Sequence, residues 1–382
     1  MELGNDRKML VLQGGGALGA YQAGAYEALH QAGIRPEWVA GISIGGINAT
    51  IIAGSPPERR IENLRRFWDM AASGPARLPF DLSSSARKWM NEQSATMNAL
   101  TGVAGFYYPR AFMPWQFVTD PIARISLYDT SPLIETLETL VDFDLVNRRD
   151  VRLSLGAVNV ATGNFAYFDN HDNKPITAHH VAASGALPPG FPPVEIDGDL
   201  YWDGGLVSNT PLQWILDKRD MGDDICVFQI DLFSARGDLP RDMSDVLARE
   251  KEIRYSSRTR HNTDEAARKA RYEKALKRLL SRLPKELHDD PDVHFLRNHD
   301  QQGAVTVVHL IYRRKLYETH MMDNEFSRLT MEEHWKAGFD DVRETLNCPS
   351  WTNRRIPDDG FVTIDHWRHQ HGTVQPVPEQ GA

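Results

Sequence analysis

Short apolar runs alternate with helical patterns over the first fifty residues of the chain. Residues 9–12 and 38–42 have the length and apolar character of buried strands, and residues 20–29 between them have helical spacing. Gly33 and Pro36 end that helix before the second run begins. This order predicts a βαβ unit with two parallel strands and a right-handed crossover.

The same alternation continues further along the chain. Apolar or alternating runs predict strands at residues 151–160, 165–168, 200–202, 224–232 and 305–312. Helical spacing predicts helices at residues 58–70, 178–186 and 324–346, and the sequence Asn209-Thr210-Pro211 opens another. Together these elements predict an α/β protein.

Residues 73–130 follow no clear period and are unusually aromatic. Their aromatic residues include Trp89, Phe106, Tyr107, Tyr108, Phe112, Trp115 and Phe117. One interpretation is an apolar cover over a site that accepts greasy substrates. The other, which we favour slightly, is a second patch of core beneath long loops.

Residues 243–287 predict a long helical stretch rich in Arg and Lys. Its apolar positions, including Ala266, Ala270 and Leu280, recur at helical spacing among the basic residues. Attachment to anionic lipid headgroups is one interpretation. Because Asp264 and Glu273 are interleaved with the cations, we favour an amphipathic helix that docks on the core with its charges solvated.

Composition narrows the class of protein. The 382 residues carry a formal net charge of -9, which disfavours general nucleic-acid binding. Two cysteines far apart, Cys226 and Cys348, favour a reducing compartment. The sequence has neither a signal-peptide layout nor an apolar run near eighteen residues, and therefore predicts a cytoplasmic protein that is at most peripheral to a membrane.

Two glycine-containing turns follow the first two predicted strands. Gly41-Ile42-Ser43-Ile44-Gly45 has the form Gly-x-Ser-x-Gly between a strand and a helix, the context of a nucleophile elbow. The loop after the first strand contains Gly14, Gly15, Gly16 and Gly19. Since parallel neighbours lie about 4.8 Å apart, this loop is expected beside Ser43, where its N–H groups suit an oxyanion.

The glycine loop also fits a dinucleotide-binding fingerprint, Gly14-x-Gly16-x-x-Gly19. That fingerprint requires an acidic residue near the end of the second strand. Gly41 and Ser43 occupy this place, and Glu37 precedes the strand. The dinucleotide interpretation therefore lacks its ribose contact and leaves the elbow unexplained.

A serine nucleophile also needs a base. His171, His179 and His180 do not lie in a turn after an apolar strand, whereas Asp203 directly follows one and is succeeded by Gly204 and Gly205. An α/β-hydrolase would need several strands before its elbow, and here Ser43 follows the second. Taken alone, Asp203-Gly204-Gly205 would be an ordinary turn.

The three motifs in this order resemble the patatin-like phospholipase family, over about residues 8–217. The stretches 183–188 and 191–193 also resemble the family's sequence before its aspartate. The resemblance implies a three-layer α/β/α fold with a mainly parallel sheet. It also implies that Ser43 and Asp203 form a catalytic dyad, with Gly14, Gly15 and Gly16 as oxyanion donors.

The resemblance further implies a lipid acyl hydrolase that acts through an acyl-enzyme on lipid or ester substrates, without a metal or cofactor. Residues 218–372 are expected to form a C-terminal extension with strands and a long charged helix, followed by a flexible tail at 373–382. A carboxylesterase, a polyester hydrolase and a non-catalytic scaffold remain alternatives. Many family members have a basic residue where this chain has Leu18, which leaves headgroup preference open.

Overall fold

A mainly parallel sheet forms the centre of the computed structural model, which describes residues 6–75, 82–110, 121, 123–220, 222–256, 259–298 and 303–365. The strands are β1 Arg7–Leu12, β2 Trp38–Ile42, β3 Tyr108–Pro109, β4 Tyr128–Asp129, β5 Arg152–Asn159, β6 Phe165–Asp169, β7 Val194–Ile196, β8 Asp199–Asp203, β9 Ile225–Asp231, β10 Val305–Ile311 and β11 Phe361–Ile364. Across the described residues, the sheet order is β11-β10-β9-β1-β2-β5-β8-β7, with β6 paired to β5 and a separate β3-β4 ribbon.

Helices cover both faces of this sheet. They are α1 Gly19–Gln31, α2 Ile44–Ala53, α3 Arg60–Ala71, α4 Ser84–Thr101, α5 Ser131–Leu140, α6 Phe143–Arg148, α7 Ala178–Ser184, α8 Leu212–Lys218, α9 Met243–Tyr255, α10 Thr259–Leu280, α11 Pro291–Asn298, α12 Arg328–Asn347 and α13 Pro349–Thr352. None of the helices in the described ranges combines the length and apolar character that a membrane crossing requires.

The alternation of side chains along β1 separates two cores. Leu10 and Leu12 join a large cluster with α1, α2, α3 and α12, whereas Met9 and Val11 join a smaller cluster with α8. Successive strand residues point to opposite faces, so both faces of β1 are buried. Two helical layers around one sheet confirm the predicted three-layer α/β fold.

The sheet continues into the region after residue 217. β9 pairs in parallel with β1, from Arg7 opposite Ile225 to Leu12 opposite Ile230, and β10 and β11 extend the sheet outward. α12 packs on α1, where Tyr21 donates a 2.6 Å hydrogen bond to Asp341. The proposed division at residue 217 thus falls within one continuous sheet, and the predicted tail at 373–382 lies outside the described residues.

Two helical stretches differ from the sequence prediction. The segment predicted as irregular contains the eighteen-residue helix α4. The predicted helix 243–287 is divided into α9 and α10, and α10 docks against β11, as the favoured interpretation held. Ala266 packs on the smaller core and Leu280 is buried, which accounts for the apolar positions at helical spacing.

Candidate active site

The turn at Ser43 joins the end of β2 directly to the start of α2. Ser43 has φ 56° and ψ −127°, a left-handed backbone conformation that costs a non-glycine residue free energy. Gly45 packs on the carbonyl oxygens of Leu12 and Gln13, so a Cβ at that position would overlap β1. The chain therefore reverses sharply here and presents the Ser43 side chain at the carboxyl end of β2.

Ser184, at the end of α7, holds the strained turn in place. The Ser43 N–H donates to the Ser184 carbonyl oxygen and hydroxyl oxygen, both at 3.1 Å. The Ser184 hydroxyl in turn donates to the carbonyl of Gly156 at 2.7 Å. This connects the elbow to β5, the next strand of the sheet.

The register of β5 brings Asp203 to Ser43. Gly156 pairs with Ile42 at the end of β2, and the next residue, Ala157, pairs with Asp203 at the end of β8. β8 thus occupies the edge of β5 immediately beyond the point where β2 ends. Gly204 packs against Gly156 and Ile42, so a larger residue there would push the aspartate turn away from the elbow.

Asp203 is buried and hydrogen-bonded. Its carboxylate accepts the Gly205 N–H at 2.7 Å and a hydrogen bond from the Ser43 hydroxyl. Burial raises the pKa of Asp203 to about 6, although both hydrogen bonds act in the opposite direction. A carboxylate with a raised pKa beside a hydroxyl is more basic than an exposed aspartate.

The glycine loop lies next to Ser43, as the predicted βαβ geometry required. A Cβ built on Gly14 would lie 3.1 Å from the Ser43 Cβ. The Gly14 N–H donates to the Asn209 carbonyl at 3.3 Å. Within the described part of the chain, the N–H groups of Gly15 and Gly16 have no acceptor. Gly16 has φ +57°, which favours glycine at this turn.

Ser43, Asp203 and the glycine loop lie on the wall of a pocket of about 100 Å³, and aromatic side chains form part of that wall. Phe106, Tyr107 and Phe191 come from the first half of the chain, with the Phe106 and Phe191 rings 5.8 Å apart. Phe233, Tyr255, Asp323, Asn324 and Phe326 complete the wall from the region after residue 217. The pocket is therefore built by both parts of the chain.

Phe106 and Tyr107 belong to the aromatic segment 73–130, for which the sequence left two interpretations. Both are buried in the main core rather than in the second patch of core that we favoured, and both also line the pocket, as an apolar cover would. Trp89 and Tyr108 are exposed. Phe112, Trp115 and Phe117 lie outside the described residues.

Comparison with known proteins assigns the chain to a family. A family model described as patatin-like phospholipase matches residues 10–214, more than half of the 382 residues. This chain belongs to the patatin-like phospholipase family. A second family model, described as patatin phospholipase, matches residues 253–358.

Two individual proteins are more distantly similar. The uncharacterized protein YqhO of Bacillus subtilis (strain 168) is 28% identical over 214 residues, covering 55% of this chain and 66% of YqhO. The crystal structure of VipD from Legionella pneumophila aligns at 15% identity with a TM-score of 0.38, over 88% of this chain and 66% of that chain. The chain thus spans just under two thirds of either protein, and its family membership rests on the match over residues 10–214.

The remaining sequence-predicted residues of this patatin-like protein lie in supporting positions. Gly19 packs against Ile44 and Trp68, and Gly41 packs against the backbone of Gly45. Among the described residues that line the pocket there is no histidine. His180 instead accepts the Thr177 N–H at 3.1 Å and caps α7. Leu18 is fully buried and is not part of the described pocket wall.

Sequence reasoning missed Asn209, which joins three parts of the site. Its side-chain Nδ2 donates to the carbonyls of Gly14 and Tyr255, both at 3.0 Å. Its Oδ1 lies beside Gly205, 3.0 Å from where a Cβ on that residue would be. Asn209 therefore connects the glycine loop and the aspartate turn to α9 of the C-terminal region. The only sequence sign of this role is its place six residues after Asp203 and two residues before Pro211.

Proposed function

We propose that this protein is a lipid acyl hydrolase that cleaves carboxylic esters through a Ser43–Asp203 dyad and an acyl-enzyme. The observation that carries the proposal is the Ser43 hydroxyl, held on a strained turn and hydrogen-bonded to a buried carboxylate whose pKa is raised to about 6. Membership of the patatin-like phospholipase family supports the ester substrate. The aromatic pocket wall supports an apolar acyl chain.

In this mechanism Asp203 removes the proton from the Ser43 hydroxyl as its oxygen attacks the ester carbonyl. The N–H groups of Gly15 and Gly16 are the best placed to receive the oxyanion, because Gly14 already donates to Asn209. The N-terminus of α2 adds a favourable partial charge beside Ser43.

Collapse of the tetrahedral intermediate breaks the bond to the leaving alcohol, which takes the proton from Asp203. Water then attacks the acyl-enzyme, again giving its proton to Asp203, and the acid is released as Ser43 regains a proton. A single carboxylate thus acts as base and then as acid in each half-reaction.

Labelling with a fluorophosphonate probe, read out by intact mass, tests the proposal. We expect one adduct per wild-type chain, none on Ser43→Ala, and on the order of 10³-fold slower labelling of Asp203→Asn. Ser281→Ala is the matched control, because Ser281 lies in another region, where its hydroxyl donates a hydrogen bond to the Arg278 carbonyl. Circular dichroism checks that each variant is folded.

Two results would contradict the dyad. An adduct that persists on Ser43→Ala would mean that another residue is the nucleophile. Labelling at the wild-type rate in Asp203→Asn would mean that another group is the base.

Turnover of phospholipid, simple ester and polyester substrates separates the lipid hydrolase from the esterase alternatives.

A further inference from the structure

Helix α4 places polar side chains inward and apolar side chains outward. Its buried side includes Arg87 and Asn98. On the opposite side, Trp89, Met97 and Leu100 are 65%, 55% and 67% exposed. Single exposed apolar residues are common on protein surfaces, whereas a group of them on one helix face indicates a surface that binds a partner.

The outward side of α4 is also uncharged. Trp89, Gln93, Thr96 and Leu100 follow one another at intervals of four, three and four residues and form one stripe along the helix, with Met97 beside it. We call these five residues the α4 face. Every exposed residue of α4, whose side chains the structure describes in full, is uncharged. Such a face suits an apolar partner without net charge.

The charged residues of α4 lie away from this face. Arg87 is buried and pairs with Glu333 at 3.0 Å, and Lys88 lies 3.5 Å from Asp242. Glu92 is partly buried at the side of the helix. The charges of α4 are therefore confined to its buried side and its flanks.

The carboxyl-terminal end of α4 is bonded to the wall of the pocket. Asn98 donates to the Asn324 carbonyl at 3.0 Å, and Asn324 lines the pocket. The Tyr128 hydroxyl donates to the Ala99 carbonyl at 2.9 Å, and its ring lies 4.7 Å from that of Tyr107, another lining residue. The helix that carries the α4 face therefore also supports the pocket.

The β3-β4 ribbon brings two more exposed apolar side chains close to the pocket. Tyr107 lines the pocket, and the next residue, Tyr108, is exposed. Leu127, just before β4, is exposed, and its N–H donates to the Gly190 carbonyl at 3.0 Å, next to the lining residue Phe191. Exposed apolar side chains thus come from two elements that contact the pocket wall.

The exposed area of the α4 face favours a lipid surface over a second copy of the chain. Its three apolar side chains together expose roughly 400 Å², about half of the ~800 Å² per partner that a stable protein interface buries. A lipid surface needs no matching shape. Tryptophan and leucine side chains insert at the boundary between its headgroups and acyl chains.

Resting on the proposed function, we propose that the α4 face docks the protein on the neutral surface of a zwitterionic phospholipid layer. Trp89 and Leu100 enter the boundary between headgroups and acyl chains. The pocket wall bonded to α4 is then held at the layer that supplies the ester. This surface differs from the basic helix α10, whose attachment would need anionic lipid.

Sedimentation of the full chain with phosphatidylcholine vesicles tests the proposal. All chains in this measurement carry Ser43→Ala, so that the lipid is not hydrolysed. We expect Trp89→Gln combined with Leu100→Gln to lower the partition coefficient roughly tenfold or more, because two apolar side chains no longer leave water. Added salt should change binding little, because the α4 face is uncharged.

Tyr272→Gln combined with Leu279→Gln is the matched control on α10, because these side chains are 69% and 63% exposed. This control should bind vesicles as the unsubstituted chain does. With Ser43 intact, the α4 double variant should keep its kcat/KM for a monomeric butyryl ester and lose roughly tenfold on vesicle phospholipid. Melting temperatures verify that the variants fold.

Unchanged vesicle binding by the folded α4 double variant would overturn the proposal, as would a failure of the unsubstituted chain to bind. Binding that requires anionic lipid and is lost in the α10 variant would overturn it in favour of α10. A dimer that the α4 substitutions dissociate, measured by sedimentation equilibrium, would overturn it in favour of a second copy.

The proposed function would survive each of these results, because turnover of the monomeric ester would remain. Absence of that turnover with normal vesicle binding would instead overturn the proposed function and leave the α4 face as a docking surface.

Discussion

The parts of the chain before and after residue 217 contribute to the same pocket in different ways. The first part carries the proposed reacting groups, Ser43, Asp203 and the glycine loop, on turns at strand ends. The second part contributes the strands β9, β10 and β11, the helix α12, and one wall of the pocket. The proposed reacting groups and the elements that support them thus lie in different parts of the sequence but share one sheet.

This difference explains why sequence motifs predict the role of the first part but not that of the second. A reactive turn restricts its own local residues, because Gly45 must clear β1 and Gly204 must clear β5. A supporting wall is defined by contacts between residues far apart in sequence, such as Lys251 with Asp323. Local motifs reveal the first kind of constraint and not the second.

Removal of the second part should have the largest effect. A chain of residues 1–217 loses β9, leaving the six residues of β1 without a partner on one side, and uncovers the α12-facing surface of α1. We expect this chain to lack a cooperative thermal transition. A chain of residues 1–365 keeps every described element and is the control. A stable, folded 1–217 chain would show instead that the predicted domain is independent.

The sequence predicted most of the central sheet and the juxtaposition of the glycine loop with Ser43. Apolar runs are a strong sign of buried strands, and adjacency of β1 and β2 follows from a short βαβ connection. The approach of Asp203 to Ser43 was inferred from its place after an apolar strand and from family resemblance. Its physical cause, the register of β5 between β2 and β8, depends on pairing that no local pattern specifies.

The missed helix α4 shows another reason for failure. Its buried positions include Arg87, Asn91 and Asn98, whereas Trp89 and Met97 are exposed. Hydrophobic periodicity assumes that apolar residues face the core, and α4 has the opposite arrangement. Arg87 is buried because Glu333 and Thr330 of α12 each accept a hydrogen bond from it at 3.0 Å.

A substitution at the contact between α1 and α12 should have the next largest effect on the free energy of unfolding. Gly338 lies against the Tyr21 carbonyl, so the side chain in Gly338→Val would force the two helices apart. We expect a loss of about 3 kcal/mol in the free energy of unfolding, measured by chemical denaturation. Lys336→Val, at an exposed position of the same helix, controls for helix propensity. Equal effects of the two substitutions would mean that α12 is not tightly docked.

Asn209 tests how closely the two parts are coupled in catalysis. Asn209→Ala removes the hydrogen bonds to Gly14 and Tyr255 and should lower kcat about 10²-fold, since it loosens the glycine loop that receives the oxyanion. KM should change much less. Asn147→Ala is a matched control, because Asn147 also joins two carbonyls, those of Phe143 and Ile176, outside the pocket. Similar losses of kcat in both variants would point to a general effect on stability.

The smallest expected effect concerns the cost of keeping Asp203 ionised in the pocket. Its pKa of about 6 in the folded protein exceeds the ordinary value of 3.8. Protonated Asp203 therefore favours folding below pH 3.8, and this contribution is lost as pH rises through 6. At pH 8, Asp203→Asn should raise the free energy of unfolding by on the order of 1–2 kcal/mol, whereas at pH 4 it should have little effect.

Chemical denaturation at the two pH values measures this difference, with Asp199→Asn on the exposed start of β8 as the control. The same ionisation should make wild-type kcat/KM rise with pH through about 6, because only the carboxylate can accept the Ser43 proton. A variant less stable than wild type at pH 8 would show that Asp203 supports the fold rather than straining it. If Asp203→Asn gains stability at pH 8 and loses activity, then the active site in the first part of the chain lowers the stability of the protein. The second part would then supply packing that offsets this loss.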